Sequence, residues 1–285
     1  MILSFHPCIV ADRQIILGAR ELNAAEHTLI HRAEVIILPQ SCSYNLYKIC
    51  RSSPALVFPD YDIRFEYPGK SGQARLFLNK GFPHPKTFQW NSLVSFENVY
   101  NHKRSFPHEM PFIIKTNNDH EGRGVYFIKN EESLEEALEK MRILEQCRSE
   151  GFITQEWIPS KGNVLRAVVM DKNIITYWKR NKNNNTVIST VGLGAEIDPN
   201  WEKGLQEKGR EQAHRFSIDT GINLAAIDFI FSFEDLHPKP LFLEINYYFG
   251  RRGLGGSLKY YRLLIKTVRE WLRNQGFDPK RISMA

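Results

Sequence analysis

The chain has 285 residues, of which 42% are hydrophobic and 25% are charged, as in ordinary globular proteins. Its formal net charge of +6 is spread without a dense basic run, so we expect anionic small molecules such as nucleotides as partners and no direct nucleic-acid binding. No apolar run reaches the roughly 18 residues that a membrane span requires. The four cysteines form no CxxC pair and the N-terminus lacks a cationic start, so we expect a cytoplasmic protein without zinc, disulfides or a signal peptide.

Short apolar runs alternate with helical spacing in the first part of the chain. Strands are predicted at 2–6, 34–40 and 55–60, and helices at 19–33 and 44–53. This alternation predicts a small parallel sheet. His27 and His31 lie one turn apart on the first helix, a spacing that could bind a metal, but no third ligand is evident and we interpret them as ordinary helix residues.

The remaining chain contains longer helices and antiparallel pairs. Helices are predicted at 73–80, near 93–101, at 133–151 with Ser133 as the N-cap and Glu136 at the capping-box position, at 201–221 and at 257–276. Strands are predicted at 111–117, 125–130, 151–159, 224–231 and 240–246, with a hairpin over 164–181 that turns at 171–173. The polar stretch 181–197 is predicted to be a loop.

Two carboxylates and an amide interrupt the last two apolar strands. Asp228 and Glu244 are equally far from residue 236 in the connecting loop, so a symmetric hairpin would place them opposite each other with Cβ atoms about 5 Å apart. Asn246 lies two residues further and shares the face of Glu244. Oxygen ligands at this separation suit Mg²⁺ that holds nucleotide phosphates. The alternative is that one carboxylate forms a structural ion pair with an arginine.

A lysine and a glycine loop precede these strands. Lys115 ends an apolar strand, and the loop Glu121-Gly122-Arg123-Gly124 follows. Glycines let the backbone approach closely and direct N–H groups toward an anion, so this loop could cover phosphates. A strand follows the loop, which excludes a P-loop. The alternative is an ordinary hairpin turn.

The order of these segments resembles the ATP-grasp superfamily, and within it glutathione synthetase and the ribosomal-protein glutamate ligases. The matching segments are FIIKTN, EGRGV, ITQEWIP, VLRAVV, WKR, AAIDFIF and LFLEIN, within residues 70–265. The resemblance implies an α/β (α+β) ATP-grasp fold with a pre-ATP-grasp domain at 1–72, a small subdomain at 73–155 and a C-terminal subdomain at 156–285. It also implies an ADP-forming carboxylate–amine ligase that uses ATP and Mg²⁺ or Mn²⁺, acts on a carboxylate and an amine, and forms an acylphosphate.

The resemblance assigns roles to individual residues. Catalysis falls to Arg166 and Lys115, and metal binding falls to Asp228, Glu244 and Asn246. Nucleotide binding involves Arg75, Lys115, the loop residues Gly122, Arg123 and Gly124, and the adenine-side residues Gln155, Glu156, Trp157 and Ile158. The substrate side includes Lys179, Arg180, Arg251 and Arg252.

The chain also departs from the superfamily pattern. Arg75 stands where a second phosphate-binding lysine is usual, Val164 stands where an aspartate is usual, and the substrate loop at 186–194 lacks the usual arginine and asparagine. Two other functions therefore stay open: an ATP-grasp phosphotransferase acting on an anionic hydroxyl compound, and an ATP-binding regulatory protein without catalysis. Apolar surface on the N-terminal helices further predicts a homodimer.

Overall fold

A parallel sheet organises the N-terminal part of the chain. The computed structural model describes residues 1–102, 107–119, 123–147, 151–181 and 194–285. Four parallel strands lie in the order β3-β1-β4-β5: β1 (Ile2–Ser4), β3 (Arg13–Gln14), β4 (Val35–Ile37) and β5 (Leu56–Phe58). Helices α1 (Ala24–Arg32) and α2 (Tyr44–Arg51) connect them, and β2 (Ile9–Val10) pairs with the C-terminal β15 (Ser283–Met284). The predicted small parallel sheet is confirmed.

A four-stranded antiparallel sheet forms the middle of the chain. Its order is β6-β9-β7-β8, with β6 (Thr87–Trp90), β7 (Phe112–Thr116), β8 (Val125–Ile128) and β9 (Phe152–Glu156). The helices of this region are α3 (Asp62–Glu66), α4 (Gly69–Lys80), α5 (Leu93–His102) and α6 (Glu131–Cys147). Alternate residues such as Phe112 and Ile114 pack into a core with Phe96 of α5 and Leu138 of α6. The other face carries Lys115 and Gln155 beside Ile113 and Ile153.

A five-stranded antiparallel sheet follows, in the order β12-β11-β10-β13-β14. Its strands are β10 (Val164–Met170), β11 (Asn173–Arg180), β12 (Glu196–Asp198), β13 (Leu224–Ile230) and β14 (Leu241–Asn246). Residues of α7 (Lys203–Thr220) pack on one face, and residues of α8 (Ser257–Asn274) share a core with the other. β14 is an edge strand. No helix of the described residues is long and apolar enough to cross a membrane.

The structure corrects some boundaries. α4 begins at Gly69 and not at 73, so the expected domain boundary at 72/73 falls inside a helix. α6 begins at Glu131, and the carboxamide of Asn130 caps it by accepting the Ser133 N–H, which replaces the predicted Ser133 cap. β6 was not predicted, because its sequence is short and mixes polar with aromatic residues. Residues 186–193 of the expected substrate loop lie outside the described residues, and β12 begins within the stretch 181–197 that was predicted to be a loop.

Candidate active site

Strand register gathers polar side chains on one face of the five-stranded sheet. Asp228 on β13 lies opposite Arg166 of β10 on one side and opposite Glu244 of β14 on the other. The predicted opposition of Asp228 and Glu244 is therefore confirmed. The intervening apolar residues point to the opposite face, where Ile227 and Phe229 share a core with residues of α7. The sheet thus has one apolar face beneath α7 and a charged patch on the other.

Asp228 is the centre of a buried ion-pair network. Its side chain is almost fully buried, and its carboxylate receives both Nε and Nη2 of Arg166 at 2.8 Å. Oδ2 also accepts hydrogen bonds from Lys179 Nζ at 2.8 Å and from Asn246 Nδ2 at 3.3 Å. Burial alone would raise the pKa of Asp228, but Arg166 and Lys179 outweigh it and hold the pKa below its ordinary value. The ion pair with an arginine that the sequence left open is present.

Glu244 differs sharply from Asp228. Its side chain is half-buried, and among the described residues no hydrogen bond or ion pair is formed with its carboxylate. Two lysines from other elements lie near enough for Glu244 to raise their pKa values, Lys70 of α4 and Lys115 of β7. Glu244 is thus a carboxylate that faces cations without being bound by them.

Lys115 brings the middle sheet into the same site. Its Nζ donates to Gln155 Oε1 at 2.6 Å across the strand pair β7–β9. Burial lowers the pKa of Lys115 to about 8; Glu244 and Asp228 act to raise it, and Lys70 acts to lower it further. Because charges from both sheets act on this one ammonium group, the two sheets face each other here.

Lys70 is a site residue that the sequence reasoning missed. It lies in the first turn of α4, is only 9% exposed, and its Nζ donates to the backbone carbonyl of Asp119. Arg75, which was expected in this role, is exposed and stacks on the ring of Tyr67 at 5.4 Å. Burial lowers the pKa of Lys70, with Glu244 acting in the opposite direction. The error arose because the predicted helix began four residues too late, which left Lys70 in a turn.

The adenine-side residues run consecutively out of β9. Gln155 is buried and joins Lys115 to Thr87, to whose hydroxyl it donates at 3.0 Å. Glu156 is exposed and its carboxylate accepts the backbone N–H of Lys86. Ile158 is buried, and Trp157 lies with its ring 5.9 Å from that of Phe127. Their contact with adenine stays a prediction.

Part of the expected phosphate-covering loop is described. Glu121 and Gly122 lie outside the described residues, whereas Arg123 is exposed. Gly124 has a φ of +65°, and a Cβ there would come within 1.9 Å of Thr116 Oγ1. Only glycine fits this position without strain, because the backbone turns in the left-handed region against a neighbouring strand.

The four basic residues expected on the substrate side separate into two groups. Lys179 joins the Asp228 network, but Arg180 does not, because adjacent strand residues point to opposite faces. Arg180 instead pairs with Asp198 at 3.0 Å and stacks on Trp201.

The two arginines after β14 lie where a loop enters a short 3₁₀ helix (Arg252–Leu254), beside the Arg166 region. Arg251 is half-buried, with its guanidinium 4.9 Å and 4.6 Å from the ring centres of Tyr260 and Tyr261, and Arg252 is exposed. A Cβ on Gly253 would come within 2.1 Å of the ring of Tyr177, so the loop lies directly on that ring. Tyr177 is in turn the cross-strand neighbour of Arg166.

Comparison with known proteins identifies the fold. Residues 70–260 match the RimK-like ATP-grasp domain family. The chain belongs to this family. The fold is similar to N5-carboxyaminoimidazole ribonucleotide synthetase from Thermus thermophilus, with a TM-score of 0.56 and 15% identity over 88% of this chain and 65% of that chain.

Two further solved structures show the same likeness. N5-carboxyaminoimidazole synthetase from Staphylococcus aureus, complexed with ADP, gives a TM-score of 0.58 and 13% identity over 85% of this chain and 61% of that chain. A RimK domain protein from Sphaerobacter thermophilus gives a TM-score of 0.54 and 13% identity over 94% of this chain and 98% of that chain. The chain thus spans less than two thirds of the two synthetases. No curated protein matches the chain.

Membership of the RimK-like ATP-grasp family confirms the predicted superfamily and its mixed α/β fold. It also supports ATP binding and ATP-dependent ligase chemistry in general. The specific reaction and the divalent metal are separate questions, which depend on the side chains of this chain.

The oxygen atoms near Glu244 fit a magnesium ion. The Glu244 carboxylate is unbound among the described side chains, and Asn246 donates its Nδ2 to Asp228, which leaves its Oδ1 available. A carboxylate oxygen offers about two lone pairs, and Oδ1 of Asp228 accepts only one N–H. Two carboxylates and an amide oxygen are hard ligands of the kind that Mg²⁺ prefers. Among the described residues, no group of three or more His, Cys, Asp or Glu side chains is placed so that it could hold a metal.

Proposed function

We propose that this chain is an ADP-forming ligase that joins a carboxylate to an amine through an acylphosphate. One observation carries the proposal. Four basic side chains from both sheets and from α4 converge on only two carboxylates in a largely buried place: Lys70, Lys115, Arg166 and Lys179 face Asp228 and Glu244. The surplus positive charge suits a triphosphate and a substrate carboxylate, which repel each other in water.

The phosphate side of the proposed site rests on the two lysines. Lys70 and Lys115 would bind ATP phosphates as point charges, and burial lowers the pKa of both. Glu244, Asn246 and Asp228 would hold Mg²⁺ or Mn²⁺. Such a cation, when bound, neutralises negative charge on the phosphates. The segment Gln155–Ile158 would border the adenine.

Arg166 would place the substrate carboxylate. Two of its N–H groups are committed to Asp228 at 2.8 Å, which fixes the guanidinium plane. A guanidinium has five N–H groups, so donors remain for a second carboxylate. Fixing both reactants in line converts a collision between two anions into a reaction between positioned groups.

The proposed reaction has two steps. A carboxylate oxygen attacks the γ-phosphorus, the bond from phosphorus to the bridging oxygen breaks, and ADP leaves with that electron pair. The amine then attacks the acyl carbon, phosphate leaves, and the nitrogen loses a proton to give the amide. Neither step requires a covalent bond to the protein.

The acceptor side favours an anionic substrate. Arg251 and Arg252 are adjacent basic residues that follow β14 closely in the chain. Arg251 lies over two tyrosine rings, and no carboxylate pairs with it among the described residues. We therefore propose that at least one substrate carries a carboxylate or phosphate beyond the reacting group.

One observation that favoured an ATP-binding regulatory protein without catalysis no longer counts for it. That alternative was motivated partly by Arg75 in place of a lysine, yet Lys70 lies beside Lys115 and Glu244. The usual positive charge is therefore available from a different position in the same helix.

A matrix of acids and amines tests the proposal through ADP release. The acids should include di- and tricarboxylates and phosphorylated acids, with each acid and each amine also tested alone. ADP release that requires both an acid and an amine supports the ligase. A phosphorylated product formed without an amine would indicate the phosphotransferase, and MgATP binding without turnover across the matrix would indicate the regulatory protein.

A further inference from the structure

The strand that carries Glu244 and Asn246 is an edge strand. β14 is hydrogen-bonded to β13 on one side only. The outward backbone groups of such a strand have no strand partner, and they pair with water or with another part of the protein. Ile245 lies between Glu244 and Asn246, so its backbone position determines where both of those side chains begin.

At Ile245, one glutamine side chain forms the backbone hydrogen bonds that a neighbouring strand would otherwise form. Gln73 of α4 donates its Nε2 to the Ile245 carbonyl at 2.9 Å and accepts the Ile245 N–H on Oε1 at 2.7 Å. A side-chain amide thus reproduces both hydrogen bonds that a neighbouring strand would make. Gln73 follows Lys70 by three residues, a spacing that places the two side chains on one face of the helix. The same contact therefore fixes Lys70 relative to Glu244.

A second glutamine holds the next residues of the chain. Gln40 is 5% exposed and donates its Nε2 to the carbonyl of Tyr247 at 3.1 Å. Its Oε1 accepts the hydroxyl of Tyr260 at 2.7 Å. Tyr247 directly follows Asn246, so the end of β14 is tied to the N-terminal sheet and to α8.

We infer that Gln73, assisted by Gln40, is a positioning residue that holds β14 where Glu244 and Asn246 meet a metal-bound nucleotide beneath Lys70. The inference rests on the proposed function. Groups that orient metal ligands without touching the metal affect metal affinity strongly. Gln73 touches neither the proposed metal nor the proposed substrate, and it acts only through the backbone of Ile245.

The test is Gln73→Met, which keeps the length of the side chain and removes both hydrogen bonds. The matched control is Gln206→Met: Gln206 is 2% exposed, donates to the carbonyls of Pro199 and Trp201, and accepts from Thr176. Both variants lose glutamine hydrogen bonds to backbone groups, Gln73 being half-buried and Gln206 buried, but Gln73 is the one that contacts β14. Calorimetry measures the Kd of the ATP analogue AMP-PNP with Mg²⁺ and, separately, with EDTA.

We expect Gln73→Met to raise the Kd in Mg²⁺ by about 10- to 100-fold, with a smaller change in EDTA. Gln206→Met should leave both constants at the wild-type values. If Gln73→Met does not fold, Gln40→Met tests the same strand from its other side and should shift the Mg²⁺ constant in the same direction.

Two results would overturn the inference. One is a Gln73→Met protein with wild-type affinity in Mg²⁺, and the other is an equal loss in the Gln206→Met control. A wild-type chain that binds no AMP-PNP with Mg²⁺ would instead defeat the proposed function, and the inference would fall with it.

Discussion

The two ends of the proposed site are built differently. At the metal and phosphate end, charged side chains rise from strands and bind one another, as Arg166 and Lys179 bind Asp228 at 2.8 Å. At the acceptor end, Arg251 and Arg252 lie where a loop enters a short 3₁₀ helix, and Arg251 rests on tyrosine rings. The Asp228 network is thus paired without a ligand, whereas among the described residues Arg251 makes ring contacts and has no carboxylate partner.

This difference separates general chemistry from specificity. Cross-strand register fixes the phosphate end, so it depends little on loop conformation. A loop can change its sequence at low cost to the fold, so specificity is concentrated there. Substitutions at the first end should therefore abolish chemistry or folding, and substitutions at the second should change substrate preference.

Asp228→Asn should give the largest effect on the fold. It leaves Arg166 and Lys179 buried without their counter-ion, so we expect a loss of about 3–5 kcal/mol in the free energy of unfolding. Because the pKa of Asp228 is lowered in the fold, its ionised carboxylate stabilises the protein above pH 3.8, its ordinary pKa. This stabilisation is lost as the pH falls through the lowered pKa. Urea denaturation measures both effects. Arg252→Met, an exposed control, should change stability little, and equal losses in the two variants would remove the distinction between the two ends.

Glu244→Gln should remove chemistry and leave the fold intact. Its carboxylate makes no hydrogen bond among the described residues and acts on Lys70 and Lys115 only from a distance, so we expect the substitution to cost the fold little. Loss of a ligand that holds the metal removes charge stabilisation of the reacting phosphates, which typically costs about 10²–10³-fold in kcat. ADP release measures the loss, and the melting temperature should match the wild type. Wild-type turnover in this variant would remove Glu244 from the metal site.

Lys70→Met and Arg75→Met compare two cations on one helix. A hydrogen bond to a charged group contributes about 1.5–3 kcal/mol, so Lys70→Met should weaken binding of AMP-PNP by about 10- to 100-fold. Arg75 is exposed and contacts Tyr67, so its replacement should leave the affinity unchanged. Fluorescence titration measures both. A large loss in Arg75→Met would reinstate the sequence-based assignment.

The pKa of Lys115 predicts a smaller effect that depends on pH. Its value of about 8 lies below the ordinary 10.5, so the folded chain binds fewer protons than the unfolded chain between these values, and this lysine makes stability rise with pH there. A bound triphosphate should raise the pKa again. Calorimetry at pH 8 in buffers of different ionisation enthalpy should detect proton uptake on nucleotide binding. The uptake should be absent in Lys115→Met, and its persistence there would exclude Lys115 as the source.

Local sequence patterns were enough to predict the two strands that carry Asp228 and Glu244. Contacts between residues far apart in the sequence could not be predicted in this way. The opposition of Asp228 and Glu244 followed from one symmetric hairpin, because both partners lie within a short segment. The face of Arg180 was also available, since it directly follows Lys179 on a strand. The contact between Gln73 and Ile245 joins residues 172 positions apart, and no local pattern predicts it.

Electron paramagnetic resonance of Mn²⁺ with AMP-PNP tests the central claim most directly, because it needs no knowledge of the acid or the amine. The wild-type chain should bind the metal and the nucleotide together, and Glu244→Gln should leave most of the Mn²⁺ in solution, complexed by AMP-PNP but not bound to the protein. Equal protein-bound Mn²⁺ in the two proteins, or none in either, would contradict a metal site formed by Asp228, Glu244 and Asn246.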